Sequence, residues 1–147
     1  MLEIPQYTDE ELIETLQGYQ KEIVNNLLKN NTVDKCIEIW INTDGILNNA
    51  NFGGEPKKNK LLENFKIEFC KLLCEYPEYE DQIKEIKIYA NLGKETLISG
   101  LTFALAPKLG TTAIILTPLV VLALIAISKV GIKAYCNTVL KNDVKEE

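Results

Sequence analysis

The 147-residue chain contains no histidine, and because all sixteen of its basic residues are lysines it contains no arginine either. The first absence removes imidazole-based catalytic triads, His-ligated metals and haem. The second removes the bidentate guanidinium clamp for phosphate or carboxylate. With a net charge of −5 and a pI near 4.9 there is also no basic stripe to displace counterions from a phosphate backbone, so a nucleic-acid partner is not expected. The start, Met1-Leu2-Glu3-Ile4-Pro5, lacks a basic n-region and an apolar run, which argues against a secretory signal and for synthesis in a reducing cytoplasm.

Cysteine is sparse. Cys36, Cys70, Cys74 and Cys136 read as buried structural thiols, since a chain of this length builds a core without disulfide staples. Cys70 and Cys74 stand four apart in a helical pattern, where a Cβ separation of roughly 6 Å is too long for an unstrained disulfide. One C-x-x-x-C without a second pair or any histidine is a weak metal motif, and neither metal nor cofactor is expected. General acid–base chemistry would fall to carboxylates, which lie on the polar sides of amphipathic segments, or to Ser99 and Ser128, which have no base nearby. A non-enzymatic protein is therefore expected.

What is present is an uneven division of charge. Residues 1 to 96 hold 11 Lys against 18 acidic residues, a net of −7; residues 97 to 140 hold three Lys and no acid; the last seven residues carry −1. Neither a repeat nor a Pro/Gly/Ser linker separates these zones. The expected organisation is an acidic amphipathic helical region over 1–93, an apolar helical hairpin or transmembrane segment over 94–141, and a solvated tail over 142–147.

The acidic region predicts four helices in an all-α fold. Thr8-Asp9-Glu10-Glu11 is a capping box, and Leu12, Ile13, Leu16, Tyr19, Ile23, Val24, Leu27 and Leu28 then recur at helical spacing until Asn30-Asn31. Asp34 to Leu47, with Cys36, Ile37, Trp40 and Ile41 apolar, fits a second helix better than a strand, because no β-rich partner segment exists. Asn48 to Pro56 reads as a loop whose Gly53-Gly54 and following Lys57, Lys58 and Lys60 lack the spacing of a phosphate loop. A third helix is expected from Pro56 to Tyr76 and a fourth from Glu78 to about Leu92, with Gly93 at its C′ position.

The apolar third carries the functional question. Leu109 to Ser128 is twenty residues without charge, about 30 Å long as a helix, matching the hydrocarbon core of a bilayer. Its eleven Leu, Ile and Val contribute on the order of −5 kcal/mol on an insertion scale. Leu97, Leu101, Leu105, Ile114, Ile115, Leu119, Leu122 and Ile125 are the residues expected to face lipid or core, with Lys108, Lys129 and Lys133 as interfacial anchors. Against a simple span, Thr117-Pro118 resembles a helix start, Pro107 and Gly110 interrupt the preceding run, and the lysine distribution orients the C-terminus, not the acidic region, toward the cytoplasm.

A hairpin of Glu95–Ala106 and a second arm from Thr112 or Pro118 to about Leu140, sheathed by the amphipathic helices, meets these objections. Gly100 with Ala104 and Ala106 with Gly110 would permit close helix approach. Amphipathic helices around an apolar hairpin occur in several pore-forming families, an analogy of fold only. The leading expectation is a protein associated with a lipid bilayer, permanently or conditionally, with a cytoplasmic N-terminal region. The alternative is a cytoplasmic helical bundle, an adaptor or accessory subunit that binds another protein or forms a homo-oligomer and buries the same segment.

Overall fold

A computed structural model describes residues 2–43 and 56–145, and among these every regular element is helical. In chain order they are α1 (Asp9–Ile13), α2 (Gly18–Asn30), α3 (Val33–Thr43), α4 (Pro56–Leu73), a 3₁₀ turn (Pro77–Tyr79), α5 (Glu80–Tyr89), α6 (Lys94–Leu109), α7 (Ala113–Val130) and α8 (Ile132–Lys145). The fold is all-α.

The capping box forms as the sequence predicts. Thr8 Oγ1 accepts from the Glu11 amide at 3.1 Å, and Glu11 Oε1 accepts from the Thr8 amide at 2.9 Å. That backbone hydrogen bond from Thr8 holds the Glu11 carboxyl below its ordinary pKa. The single helix expected downstream of it is instead two. After Ile13 the chain turns through Glu14–Leu16, Gln17 is extended (φ −66°, ψ 157°), and α2 restarts at Gly18. The break changes which side faces inward: Gln20 and Val24 are buried, whereas Tyr19 and Ile23, assigned to the apolar stripe by spacing, are exposed.

Other boundaries also differ. Leu47 and the loop of residues 48–55 lie outside the described residues. The third helix stops at Leu73 rather than Tyr76, because Glu75 adopts a left-handed conformation (φ 59°) and the Tyr76 amide closes back on Lys71 O at 3.0 Å. That geometry is a Schellman-type stop with a residue other than glycine in the strained position. The fourth helix begins with the 3₁₀ turn and ends at Tyr89, and Gly93 (φ 128°) precedes α6 as its N-cap rather than terminating α5. Residues 142–145, expected in the tail, continue α8.

Buried apolar side chains form one cluster from Leu2 to Cys136. At its centre lies α7, packed against α1, α3, α6 and α8, while α4 packs on α8, α6 and α3, and α5 covers α6. The α5–α6 contact relies on a missing side chain: a Cβ at Gly100 would stand 2.7 Å from Tyr89 Cδ2. Alanine at a helix interior gains about 1 kcal/mol over glycine, but overpacking costs about 1–3 kcal/mol. Gly100→Ala is expected to lower the urea midpoint of the parent, and to raise it when introduced into a Tyr89→Ala background, where the ring is gone.

Candidate functional site

The feature that sets this chain apart chemically is α7. Ten of its eighteen residues are buried, among them Leu119, Leu122 and Ile125. Among the described residues it is the one helix long and apolar enough to cross a membrane by length and composition. The uncharged run is also a well-packed core element. Leu97, Leu101 and Leu105 of α6 are fully or almost fully buried. Ile115 is half-buried, and Ile114 stands 60% exposed at the start of α7.

Pro118, expected as a possible helix start, lies inside α7, and Thr112 is the N-cap. Thr117 does not cap; its Oγ1 donates to Ala113 O at 2.6 Å. A proline in a helix interior frees the carbonyl four residues earlier, here Ile114 O, and its ring crowds that turn. One side chain from the outer helices supplies what is missing, and a second donates to the next carbonyl. Gln20 Nε2 of α2 donates to Ile114 O at 2.9 Å, and Trp40 Nε1 of α3 donates to Ile115 O at 3.0 Å. Gln20 is only 3% exposed, so this amide is placed in the core for the sake of that bond. The pairing was not read from the sequence, although its signal was there: a proline inside an apolar run implies a bare carbonyl, and Gln20 lies four residues from both Leu16 and Val24.

The second apolar arm does not run on to Leu140. Gly131 (φ 89°, ψ 151°) breaks it, and α8 leaves at an angle. Val130 and Ala134 are exposed, and the packing residue of α8 is Cys136, with Ile132, Tyr135, Val139 and Leu140 half-buried beside it. At this bend the N-terminal segment passes over the bundle. It is tied at one end by the Leu2 amide on Leu73 O (2.8 Å) and at the other by the capping box. A groove of about 640 Å³ opens between this segment and the α7–α8 junction. Its floor is Leu12, Leu124 and Ile127, and Ile4, Pro5 and Tyr7 form the opposite wall. Nothing in the spacing of the N-terminal residues pointed to this groove.

The three lysines are separated. Lys108 lies 5.5 Å above the Tyr79 ring and 3.9 Å from Glu78, whose carboxylate also faces Lys71 at 3.6 Å. Buried Tyr79 donates to Glu68, and burial followed by that carboxylate pushes its phenol pKa up. Lys129 is exposed in the last turn of α7, where a cation favours the negative helix end. Lys133 is exposed at the groove.

All four cysteines are free thiols. Packing of α4 on α8 brings Cys136 opposite Cys70 and Cys74; its thiol donates to Cys70 O at 4.0 Å, and the neighbouring Cys70 thiol, followed by Cys74, lowers its pKa. The hydrogen bond to Cys136 pushes Cys70 up, and burial raises Cys74 to about 11. Cys136 is 1% exposed, so the sulfur that ionises most readily is shielded, while half-buried Cys74 stays protonated. Thiolate is the reacting species. Iodoacetamide at pH 8 is therefore expected to label the folded protein about two orders of magnitude more slowly than free cysteine, with Cys74 first and all four labelled after denaturation. Mass spectrometry of timed aliquots reads the order. Among the described residues no group of three or more Cys, Asp or Glu side chains has the arrangement to hold a metal ion.

No protein-family model matches the chain, and no match was found among curated proteins or solved structures.

Proposed function

We propose that this chain is a non-enzymatic helical bundle that acts as a binding module, an adaptor or accessory subunit, with α7 as its permanent core helix. The observation that carries this reading is the pairing of Gln20 and Trp40 with the carbonyls around Pro118. A proline-containing helix that leaves the bundle for lipid gives up these donors and needs a new partner for the freed carbonyl from neighbouring helices, Ser or Thr side chains or water, since a bare one costs a few kcal/mol. The outer helices provide two donors at that turn. The groove beside α7 gives such a module a place to bind.

Expression without any fusion partner, followed by a carbonate wash, tests the reading. The expected result is recovery in the carbonate supernatant as a monodisperse species in detergent-free buffer. A protein that stays in the washed pellet and is released only by detergent rejects it.

A second reading, association with a bilayer through residues 97–128, is favoured by one observation. The eighteen residues of α7 make a helix about 27 Å long, close to the thickness of a bilayer core. Conditional insertion is read by dye release from anionic liposomes at pH 7 and pH 5. Release by the intact protein that Leu122→Lys abolishes supports this reading; absence of release at both values rejects it.

A further inference from the structure

We propose that the groove at the α7–α8 junction binds a single-chain amphiphile with an anionic head, a long-chain carboxylic acid, whose alkyl tail lies along Leu124 and Ile127 and whose carboxylate pairs with Lys133. The assignment rests on the reading of α7 as a core helix, since α7 supplies the floor.

Size selects the class of occupant. A space of about 640 Å³ falls within the range of small-molecule sites, roughly 300–1,000 Å³. The walls then select an alkyl chain. The floor is aliphatic, and Val130, 58% exposed, presents a further apolar side chain at the rim. A peptide backbone laid here would need partners for its amides and carbonyls, whereas an alkyl chain needs none.

Charge selects the head group. Among the described residues no acidic side chain lines the groove, and Lys133 is the one charged side chain that does. Among the described residues Lys133 has no ion-pair partner, in contrast to Lys21, Lys35, Lys66, Lys71, Lys87 and Lys108. The other polar lining groups are neutral: Gln6, Tyr7 and Asn137 can donate to a carboxylate, while the Ser128 hydroxyl donates to Ile125 O at 2.7 Å. Ile132, Lys133 and Ala134 form the first turn of α8, whose positive end adds to the same preference, while Lys129 offsets the negative end of α7 beside it. An anion meets one cation and several donors here; a cationic head would meet Lys133 itself.

Isothermal titration with dodecanoate below its micellar concentration tests the assignment on the full chain in detergent-free buffer. The expected result is one site per chain, at least tenfold weaker binding of dodecyltrimethylammonium, and at least a tenfold loss of dodecanoate affinity in Lys133→Glu. Lys133 is exposed and unpaired among the described residues, so that variant should melt with the parent. Ala134→Trp, which fills the groove from an exposed position, is expected to abolish binding without shifting the melt. Absence of saturable binding by a monodisperse parent overturns the ligand assignment and leaves the core-helix reading standing. Equal affinity for the cationic amphiphile, or affinity unchanged in both variants, overturns it as well. A parent recovered only in detergent overturns both readings together.

Discussion

Leu122→Lys is expected to abolish cooperative folding. The Leu122 side chain has no solvent exposure, and neither do Val121 and Ala123 on either side of it. It lies about 12–13 Å along the helix from each end of α7, too deep for a lysine stem to bring its ammonium to water. Loss of the leucine alone, as in Leu122→Ala, costs about 2–5 kcal/mol through lost transfer energy and the residual cavity. A buried unpaired ammonium adds several kcal/mol, or loses its proton at a similar cost. The total reaches the whole stability of an ordinary domain, about 5–15 kcal/mol. Far-UV circular dichroism under a urea gradient should show a cooperative transition at lower urea for Leu122→Ala and none for Leu122→Lys. A lysine variant that unfolds cooperatively near the parent midpoint would mean that α7 is not enclosed by protein, and the core-helix reading would fall with it.

The second large effect is a coupling. Gln20→Leu removes the donor to Ile114 O and leaves a part-buried carbonyl without it, a loss of about 1 kcal/mol. The amide introduced by Pro118→Ala has that same carbonyl as its natural partner, four residues back. In the Pro118→Ala background Gln20→Leu should therefore cost markedly less, with a coupling of about 1 kcal/mol between sites far apart in sequence. Urea unfolding of the four members of the cycle measures it. Additive costs would show that Gln20 stabilises the core by packing alone and that the proline has no part in its placement. Trp40→Phe, which removes the donor to Ile115 O, provides a comparison one carbonyl along.

Legibility varied with the range of the physics involved. The capping box of α1 rests on groups three residues apart, and Thr8 and Glu11 meet as their spacing predicts. Helix identity over Asp34–Ile41, chosen over a strand, also holds, since α3 covers it. Boundaries failed where a single backbone angle decided them. Glu75 takes a positive φ that its residue type does not announce, and the turn at Glu14–Gln17 interrupts a stripe that continues in the letters. For the apolar helix the sequence leaves two starts open, Thr112 and Pro118, and the structure takes Thr112 as the N-cap. Local preference places proline at a helix start, but tertiary donors make its interior position tolerable.

The groove was illegible for a different reason. Its floor joins Leu12 to Leu124 and Ile127, and its far wall is a segment without periodicity of its own. The cysteines divide in the same way. That Cys70 and Cys74 share a helical face follows from their spacing. That Cys136 faces them follows from the packing of α8 on α4.

By itself the sequence determined the all-α class, the absence of imidazole and guanidinium chemistry, and the concentration of apolar residues in an acid-free stretch, because residue type and helical period act over a few positions. Only the tertiary structure decided that Gln20 and Trp40 serve the carbonyls beside Pro118, that the helix ends at Gly131 and restarts as α8, and that Lys133 lines a groove with no acidic side chain among the described residues. Those relations join positions up to some 120 residues apart. They come into being when the apolar stretch is enclosed, since burial then requires every freed carbonyl to find a donor that chain neighbours do not provide.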